Sequence, residues 1–388
     1  MKATLPLFIF VDACGWEIIR NEGFCKEVAP YRRRLESVFG YSSACIPSIL
    51  SGRWPTDHRN WCFFVHDPER SPFRSLRWLR WLPTAVTSRR RVRRYLSRLI
   101  KSRLNFRGYF DLYNIPFRYI SLFDFSEKRS PLSPGGLNRG PNLSDFLAEQ
   151  KIPHFFADPG LREEDNLENL RRQISEETID FAFMYWPDLD GLLHRVGNQS
   201  PEISKKLQSY EQWINALVAH AREHYGEVEV HIFSDHGMAN CDRKLDLKAK
   251  IETLGLRMGE DYVVVYDSTM ARFWFKSTEA SKRITELLGE EPLGRIVPDE
   301  ELRSLGTFFE DRYFGELIFL VQEGVLIVPS HMGENPLRGM HGYHPTDPHS
   351  YASLCSSRAD VPAELTAIPH MYSLMTKAAV KAKARNSG

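Results

Sequence analysis

Thr178-Ile179-Asp180-Phe181-Ala182-Phe183-Met184-Tyr185-Trp186, followed by Pro201 to Tyr225 and then Glu227-Val228-Glu229-Val230-His231-Ile232-Phe233, is the stretch on which the fold turns. In the first piece Ile179, Phe181, Phe183 and Tyr185 point one way and Ala182 and Met184 the other. Apolar side chains on both faces mark a strand covered from both sides. From Pro201 to Tyr225, Ile203, Leu207, Tyr210, Trp213, Ile214, Leu217 and Val218 recur at helical spacing. Glu227 to Phe233 alternates again, with Val228, Val230 and Ile232 on one side. Strand, helix, strand in that order predicts a right-handed parallel crossover, and therefore an open α/β sheet. Leu5 to Val11 adds a near-continuous apolar run of the same central type.

Outward from this core, strands are expected at Tyr262–Tyr266, Ala271–Phe275, Glu316–Val321 and Gly324–Val328. A chain of 388 residues accommodates one large α/β domain or two smaller ones. Its net charge is +1, which by itself selects no polyanionic partner. That average hides an asymmetry: Arg70 to Arg107 holds thirteen Lys or Arg and no acid, leaving −12 on the remainder. Residues 56 to 135, rich in Arg, Trp and other aromatics, read as an insertion or cap on the sheet. The rest, 1–376, reads as one catalytic domain, with 377–388 a basic, flexible tail.

Six dispersed cysteines (Cys14, Cys25, Cys45, Cys62, Cys241, Cys355) show no metal-binding spacing and fit a reducing compartment. The apolar N-terminus is too short for a signal peptide, is broken by Pro6 and ends in Asp12, so it reads as a buried strand. No apolar run approaches the roughly 18 residues of a membrane span. A cytoplasmic location follows as the expectation, with peripheral membrane contact through 74–107.

Candidate chemistry gathers at the strand ends. Asp12, Asp190 and Asp235 each sit at or just beyond the carboxyl end of an expected strand, where open α/β sheets build their sites. Asp190 and His194, four residues apart, share a face of a following helical turn. His236 adjoins Asp235, and Gly237 permits a sharp turn there. His341 lies between Gly339 and Gly342. Carboxylates and imidazoles in these numbers suit a pair of divalent metals, zinc first and manganese second. A hydroxyl beside such a pair loses its proton easily, and Ser42 and Ser43, just before the helix-like Ile46 to Gly52, are placed for that role.

Taken in order, these segments resemble the alkaline phosphatase superfamily, most closely its nucleotide pyrophosphatase/phosphodiesterase branch, from Leu5 to about Leu354 apart from the insertion. The residues that carry the likeness are Val11-Asp12, then Ser42 with Pro47, Ser51-Gly52, Pro55 and His58. Asp190 with His194, Asp235-His236-Gly237-Met238 and His341-Gly342-Tyr343 complete it. The resemblance implies a three-layer α/β/α sandwich. It also implies one metal held by Asp190, His194 and His341, and another held by Asp12, Asp235 and His236 with the Ser42 oxygen. Nucleophile segments of the superfamily place the hydroxyl ten residues before the glycine, which gives Ser42, or two before the proline, which gives Cys45. Cys45-Ile46-Pro47-Ser48 resembles the sulfatase signature, but Ile49 stands where an arginine follows there. Ser42 therefore comes first, Ser43 second and Cys45 third. The branch's oxyanion-binding asparagine would fall on Phe63, with Asn60 as a nearby substitute.

Each residue also has a plainer reading. An Asp after a strand or a Ser before a helix is commonly a cap. His341 has rivals in His331, His344 and His349; the His-Gly-Tyr context favours His341 and leaves His344 to contact substrate or to support the ligands from behind. From Ser88 to Leu104, Val92, Tyr95, Leu96, Leu99, Ile100 and Leu104 recur at helical spacing among arginines, preceded by Leu76 to Leu82 with Trp78 and Trp81. That pattern suits an anionic lipid interface, or equally a cap helix with a solvated basic rim. No nucleic-acid-binding motif accompanies it. The expected activity is hydrolysis of a phosphodiester or pyrophosphate bond through a phospho-serine, on a small-molecule or lipid-linked substrate. The same residues leave open a phosphoethanolamine- or phosphoglycerol-type transferase, a phosphomonoesterase or sulfatase-like hydrolase, and a non-enzymatic membrane-surface protein.

Overall fold

The computed structural model describes residues 1–81 and 89–387. Six strands form the main sheet, in the order Tyr31–Leu35, Ala352–Ser356, Tyr225–Phe233, Lys2–Val11, Phe181–Trp186, His154–Phe156. The last four run parallel, and Ala352–Ser356 runs antiparallel to both of its neighbours. The expected crossover is the Pro201–His224 helix, and Lys2–Val11 inserts between the two strands that helix joins.

Alternation along these strands separates two cores. Leu5, Leu7, Ile9, Val11, Ala182, Met184, Val230 and Ile232 pack beneath Ile203, Leu207, Tyr210, Ile214 and Leu217 of that helix. Phe8, Phe10, Phe181, Phe183 and Phe233 face the opposite layer, with Ile49 and Leu50 of the Ser42–Ser51 helix and Met371, Met375 and Ala379 of a C-terminal helix. Each Val, Leu, Ile, Met or Phe side chain among them, fully buried, contributes roughly 1.5–3 kcal/mol. Helix, sheet, helix is the three-layer arrangement expected from the sequence.

The C-terminus differs from expectation. Met371–Asn386 is one helix with Ala378, Ala379 and Ala382 buried, where a frayed tail from Lys377 was expected. Asn386 Nδ2 donates to the Asp180 carboxylate at 2.7 Å and Asn386 Oδ1 accepts from the Thr4 N–H at 2.9 Å. The reason is a narrow alanine stripe, easily hidden in a basic composition; Gly388 lies outside the described residues.

A second, antiparallel sheet follows the order Tyr262–Tyr266, Met270–Phe275, Leu317–Val321, Gly294–Ile296. Against it packs the aromatic part of segment 56–135, where Phe64, Phe73, Phe110, Phe123 and Phe125 meet Val263, Val265 and Trp274. The segment's basic helix is Arg90–Arg103; the expected start at Ser88, and Leu82 of the preceding stretch, lie outside the described residues. Its inner face is only in part the expected apolar one: Leu96, Ile100 and Leu104 pack on the aromatic core, but Arg93 and Ser97 are buried beside them, while Tyr95 and Leu99 are exposed. Arg93 donates to the carbonyls of Tyr113 and Ile115, and the Ser97 hydroxyl accepts from the Leu112 N–H, so inward polar groups are bonded to a loop. All six cysteines are free. No helix among the described residues is long and apolar enough to cross a membrane.

Candidate active site

Three parallel strands deliver the acids. Asp12 directly follows Lys2–Val11, Asp235 comes just after Tyr225–Phe233, and Asp190 lies in the first turn of the Asp188–Val196 helix that succeeds Phe181–Trp186. Lys2–Val11 is hydrogen-bonded to both other strands, so register alone brings the three carboxylates together. Asp190 Oδ1 lies 3.3 Å from His194 Nε2 and 3.6 Å from His341 Nε2. His236 Nε2 lies 3.6 Å from Asp12 Oδ1, 3.2 Å from Asp235 Oδ2 and 3.0 Å from Ser42 Oγ. The His236 and His341 rings stack with centroids 3.8 Å apart and join the two clusters.

Close packing of backbone makes this possible. A Cβ on Gly15 would stand 2.3 Å from Gly237 Cα, and one on Gly237 would stand 2.4 Å from the His349 carbonyl oxygen. Gly237 is thus required for close approach rather than for its turn geometry. Gly342, by contrast, adopts φ +87°, and a Cβ there would meet the Tyr41 ring at 2.5 Å. Tyr41 in turn hydrogen-bonds Thr269, whose hydroxyl donates to the Gly342 carbonyl, tying the serine, the second sheet and the His341 loop together.

The donor set fits divalent metals. Among the described residues, Asp12 Oδ1, Asp190 Oδ1, Asp235 Oδ2 and His341 Nδ1 are buried without a hydrogen-bond partner. His194 and His236 place Nδ1 at 2.9 Å from the Gly339 and Gly237 carbonyls respectively, which holds the proton there and leaves Nε2 free to ligate. Asp190, His194 and His341 offer ligand atoms within 4.8 Å of one another, and so do Asp12, Asp190 and His236. Burial pushes the Asp235 carboxyl up to about 7; the Ala13 N–H opposes the shift and the Asp190 charge adds to it. Burial, then the charges of Asp235 and Asp190, raises Asp12. Burial would raise Asp190 too, but His194, followed by His341 and His236, outweighs it and draws that carboxyl down. Burial and the neighbouring His236 hold His341 neutral, the form a metal needs. Three crowded carboxylates with unbonded oxygens form a site whose repulsion a cation relieves.

The expected nucleophiles differ in setting. Ser42 opens the Ser42–Ser51 helix and turns its Oγ to His236, whereas Ser43 Oγ donates to the Trp61 carbonyl at 2.6 Å. Cys45 is fully buried against Ser37 and Val38, and burial raises its thiol pKa. His58 braces the same helix, its Nε2 lying 2.9 Å from Ser48 Oγ. Two expected contacts are placed elsewhere. Asn60 Oδ1 accepts from the Asn138 N–H at 3.0 Å, and His344 pairs with Glu301 at 3.0 Å; neither lines the cavity beside the acids.

That cavity, about 490 Å³, carries Asp12, Ser42, Asp190, His194 and His341 in its wall together with Phe63, Tyr109, Tyr113 and Glu127. Phe63 was named from the sequence as the position of the branch's oxyanion-binding asparagine; Tyr109, Tyr113 and Glu127 were not singled out, because an aromatic insertion gives no sign of which rings face a ligand. Tyr185 was also missed: its hydroxyl donates to Asp12 Oδ2 at 2.7 Å. Its one signal is its place at the end of a strand paired with Phe10, two residues before Asp12.

Comparison with known proteins decides the family. Residues 37–344 match the type I phosphodiesterase / nucleotide pyrophosphatase family. The chain belongs to that family. Solved structures agree with the fold. Human ectonucleotide pyrophosphatase / phosphodiesterase 5 superposes with a TM-score of 0.67 at 13% identity, covering 98% of this chain and 95% of that one. The murine protein gives 0.64 at 14% identity with the same coverage. An inactive threonine-to-alanine form of it, in complex with AMP, gives 0.63 at 13% identity, again covering 98% and 95%. Membership places the chain in the alkaline phosphatase superfamily and makes it a hydrolase of the phosphodiesterase/pyrophosphatase class.

Proposed function

We propose that this enzyme cleaves a phosphodiester or pyrophosphate bond by transferring the phosphoryl group to Ser42 and then to water. The observation that carries the reading is the placement of Ser42 Oγ, 3.0 Å from His236 Nε2 and in the wall of the cavity shared by Asp12, Asp190, His194 and His341. Asp190, His194 and His341 would hold one divalent cation and Asp12, Asp235 and His236 the other, zinc or manganese by the chemistry of the donors. Bound there, the cations supply a lowered pKa for the serine hydroxyl and charge compensation for the leaving oxygen.

The chain's own groups do the rest. Ser42, at a helix N-terminus, presents its oxygen where peptide dipoles favour negative charge. Tyr185 fixes one Asp12 oxygen and leaves the other turned to the site. His194 and His236 are locked by backbone carbonyls, so no imidazole rotation is needed during turnover. Phe63, Tyr109 and Tyr113 line the same cavity as the acids and give it aromatic surface, suited to the second ester group of a diester and poorly suited to the extra charge of a monoester. The AMP held by one structural neighbour, itself a phosphate monoester, is of the product type such cleavage yields.

The test is hydrolysis of bis-(p-nitrophenyl) phosphate after zinc or manganese loading, beside p-nitrophenyl phosphate and p-nitrophenyl sulfate. Diester turnover is expected to lead, and Ser42→Ala to lower it by at least about 10³-fold. Full activity in Ser42→Ala, or preference for the sulfate, would overturn the proposal.

A further inference from the structure

We infer that the outward face of the Arg90–Arg103 helix is a docking surface for an anionic lipid bilayer. The helix and the residue before it carry eight Lys or Arg and no acid. Around its axis, Arg91, Arg94, Tyr95, Arg98, Leu99 and Ser102 fall on one continuous exposed arc, opposite the buried Arg93, Ser97 and Ile100. Tyr95 is 67% exposed and Leu99 51%, an unusual state for large apolar side chains on a helix that already has an inner face. Among the described residues, Arg91, Arg94, Arg98 and Arg103 have no carboxylate within ion-pair distance, whereas Arg59, Arg162, Arg295, Arg312 and Arg358 are each paired.

Charge complementarity selects the partner. Unneutralised guanidinium groups interleaved with an exposed ring and an exposed leucine match an interface that is both anionic and apolar, which is the headgroup layer of an acidic membrane. A solvated basic rim would need no exposed Tyr95 or Leu99. Duplex nucleic acid would match the arginines but would leave the leucine in water. The remainder of the chain outside Arg70–Arg107 carries a net −12, which the same anionic surface repels, so the field favours an approach with the Arg90–Arg103 helix toward it. The anchored helix is one hydrogen-bonded layer from the active-site cavity: Arg93 and Ser97 hold the loop from Tyr109 to Ile115, whose Tyr109 and Tyr113 form part of the cavity wall. Docking itself is independent of the phosphodiesterase reading.

Co-sedimentation of the full chain with vesicles tests the inference, using phosphatidylcholine alone and phosphatidylcholine with phosphatidylserine. Binding is expected to the second vesicle only, and to fall as salt rises. Each surface arginine contributes about a five-fold factor on an acidic bilayer, so Arg91→Ala/Arg94→Ala/Arg98→Ala together should weaken partitioning on the order of 100-fold. Tyr95→Ala/Leu99→Ala should weaken it too, with the salt dependence kept. Turnover of the soluble bis-(p-nitrophenyl) phosphate should be unchanged in both variants, which separates failure of docking from failure of the catalytic reading. If the arginine variant misfolds, the salt titration of the wild-type chain still decides. Absence of binding to acidic vesicles, salt-insensitive binding, or unchanged partitioning of the folded arginine variant would overturn the inference. So would a DNA or RNA duplex that displaces the chain from the vesicles, which would make the face a nucleic-acid surface.

Discussion

Tyr185 is the residue whose effect on the centre is most separable from chemistry. Its hydroxyl touches Asp12 Oδ2 and no other acid of the cluster, so Tyr185→Phe removes one hydrogen bond and keeps the ring. The expected outcome is a roughly 10-fold weaker metal affinity, the usual effect of losing a group that orients a ligand, read by titration calorimetry. Glu127 gives a prediction of a different kind. Burial pushes its carboxyl up to about 8, against the Tyr109 N–H and Lys101, which both act to lower it. A carboxyl that is protonated in the folded state and ionised in the unfolded state loses stability as pH rises between the ordinary carboxylate range and 8. Each pH unit in that window costs at most about 1.4 kcal/mol. Glu127→Gln should therefore flatten the dependence of Tm on pH from 5 to 8 and raise Tm at the upper end; an unchanged slope would refute the burial argument. Of the individual site residues, the acids and histidines were legible because each stood in a short motif at a strand end. For Asn60 and His344, spacing from a motif cannot report that a side chain is already engaged, here with Asn138 and Glu301.

Elements are held by contacts that sequence patterns describe unequally. Parallel strands buried on both faces were legible, since Leu5–Val11, Thr178–Trp186 and Glu227–Phe233 carry apolar residues facing each way. The edge was not: Tyr31–Leu35 carries Arg32, Arg33 and Arg34 in a row and shows no apolar alternation. In the structure Arg32 donates to the Ile19 and Phe24 carbonyls and Arg33 to the Pro362 carbonyl, so long cationic side chains act as loop braces that periodicity does not register. At the centre, the Gly15–Gly237 contact sets the distance between the loops bearing Asp12 and Asp235. Gly237→Ala must displace the His349 carbonyl, which a Cβ there would meet at 2.4 Å, at about 1–3 kcal/mol, and should lower metal stoichiometry as well as stability. His58→Ala, which removes the brace on Ser48, should cost a comparable 1–3 kcal/mol by denaturant titration while leaving metal binding intact, because His58 is remote from the acids.

For the whole molecule, three loops from one sheet converge on a cluster of buried, unbonded carboxylate oxygens, and that cluster makes stability depend on metal. Chelation should lower Tm, and zinc should restore it with saturation near two equivalents; each site contributes about 2.7 kcal/mol at a hundredfold excess over its Kd. The fold class was legible at this scale, but the packing of segment 56–135 on the second sheet was not. Its aromatic core is shared with Val263, Val265 and Trp274, far away in sequence. The most direct measurement is acid quenching of the metal-loaded enzyme during turnover of bis-(p-nitrophenyl) phosphate, followed by peptide mass spectrometry. One p-nitrophenyl phosphoryl group on Ser42, the first p-nitrophenolate having left, absent from Ser42→Ala, is the expected result. A phosphoryl group on Ser43 instead, or steady diester turnover by Ser42→Ala, would contradict the assignment of Ser42 as the nucleophile.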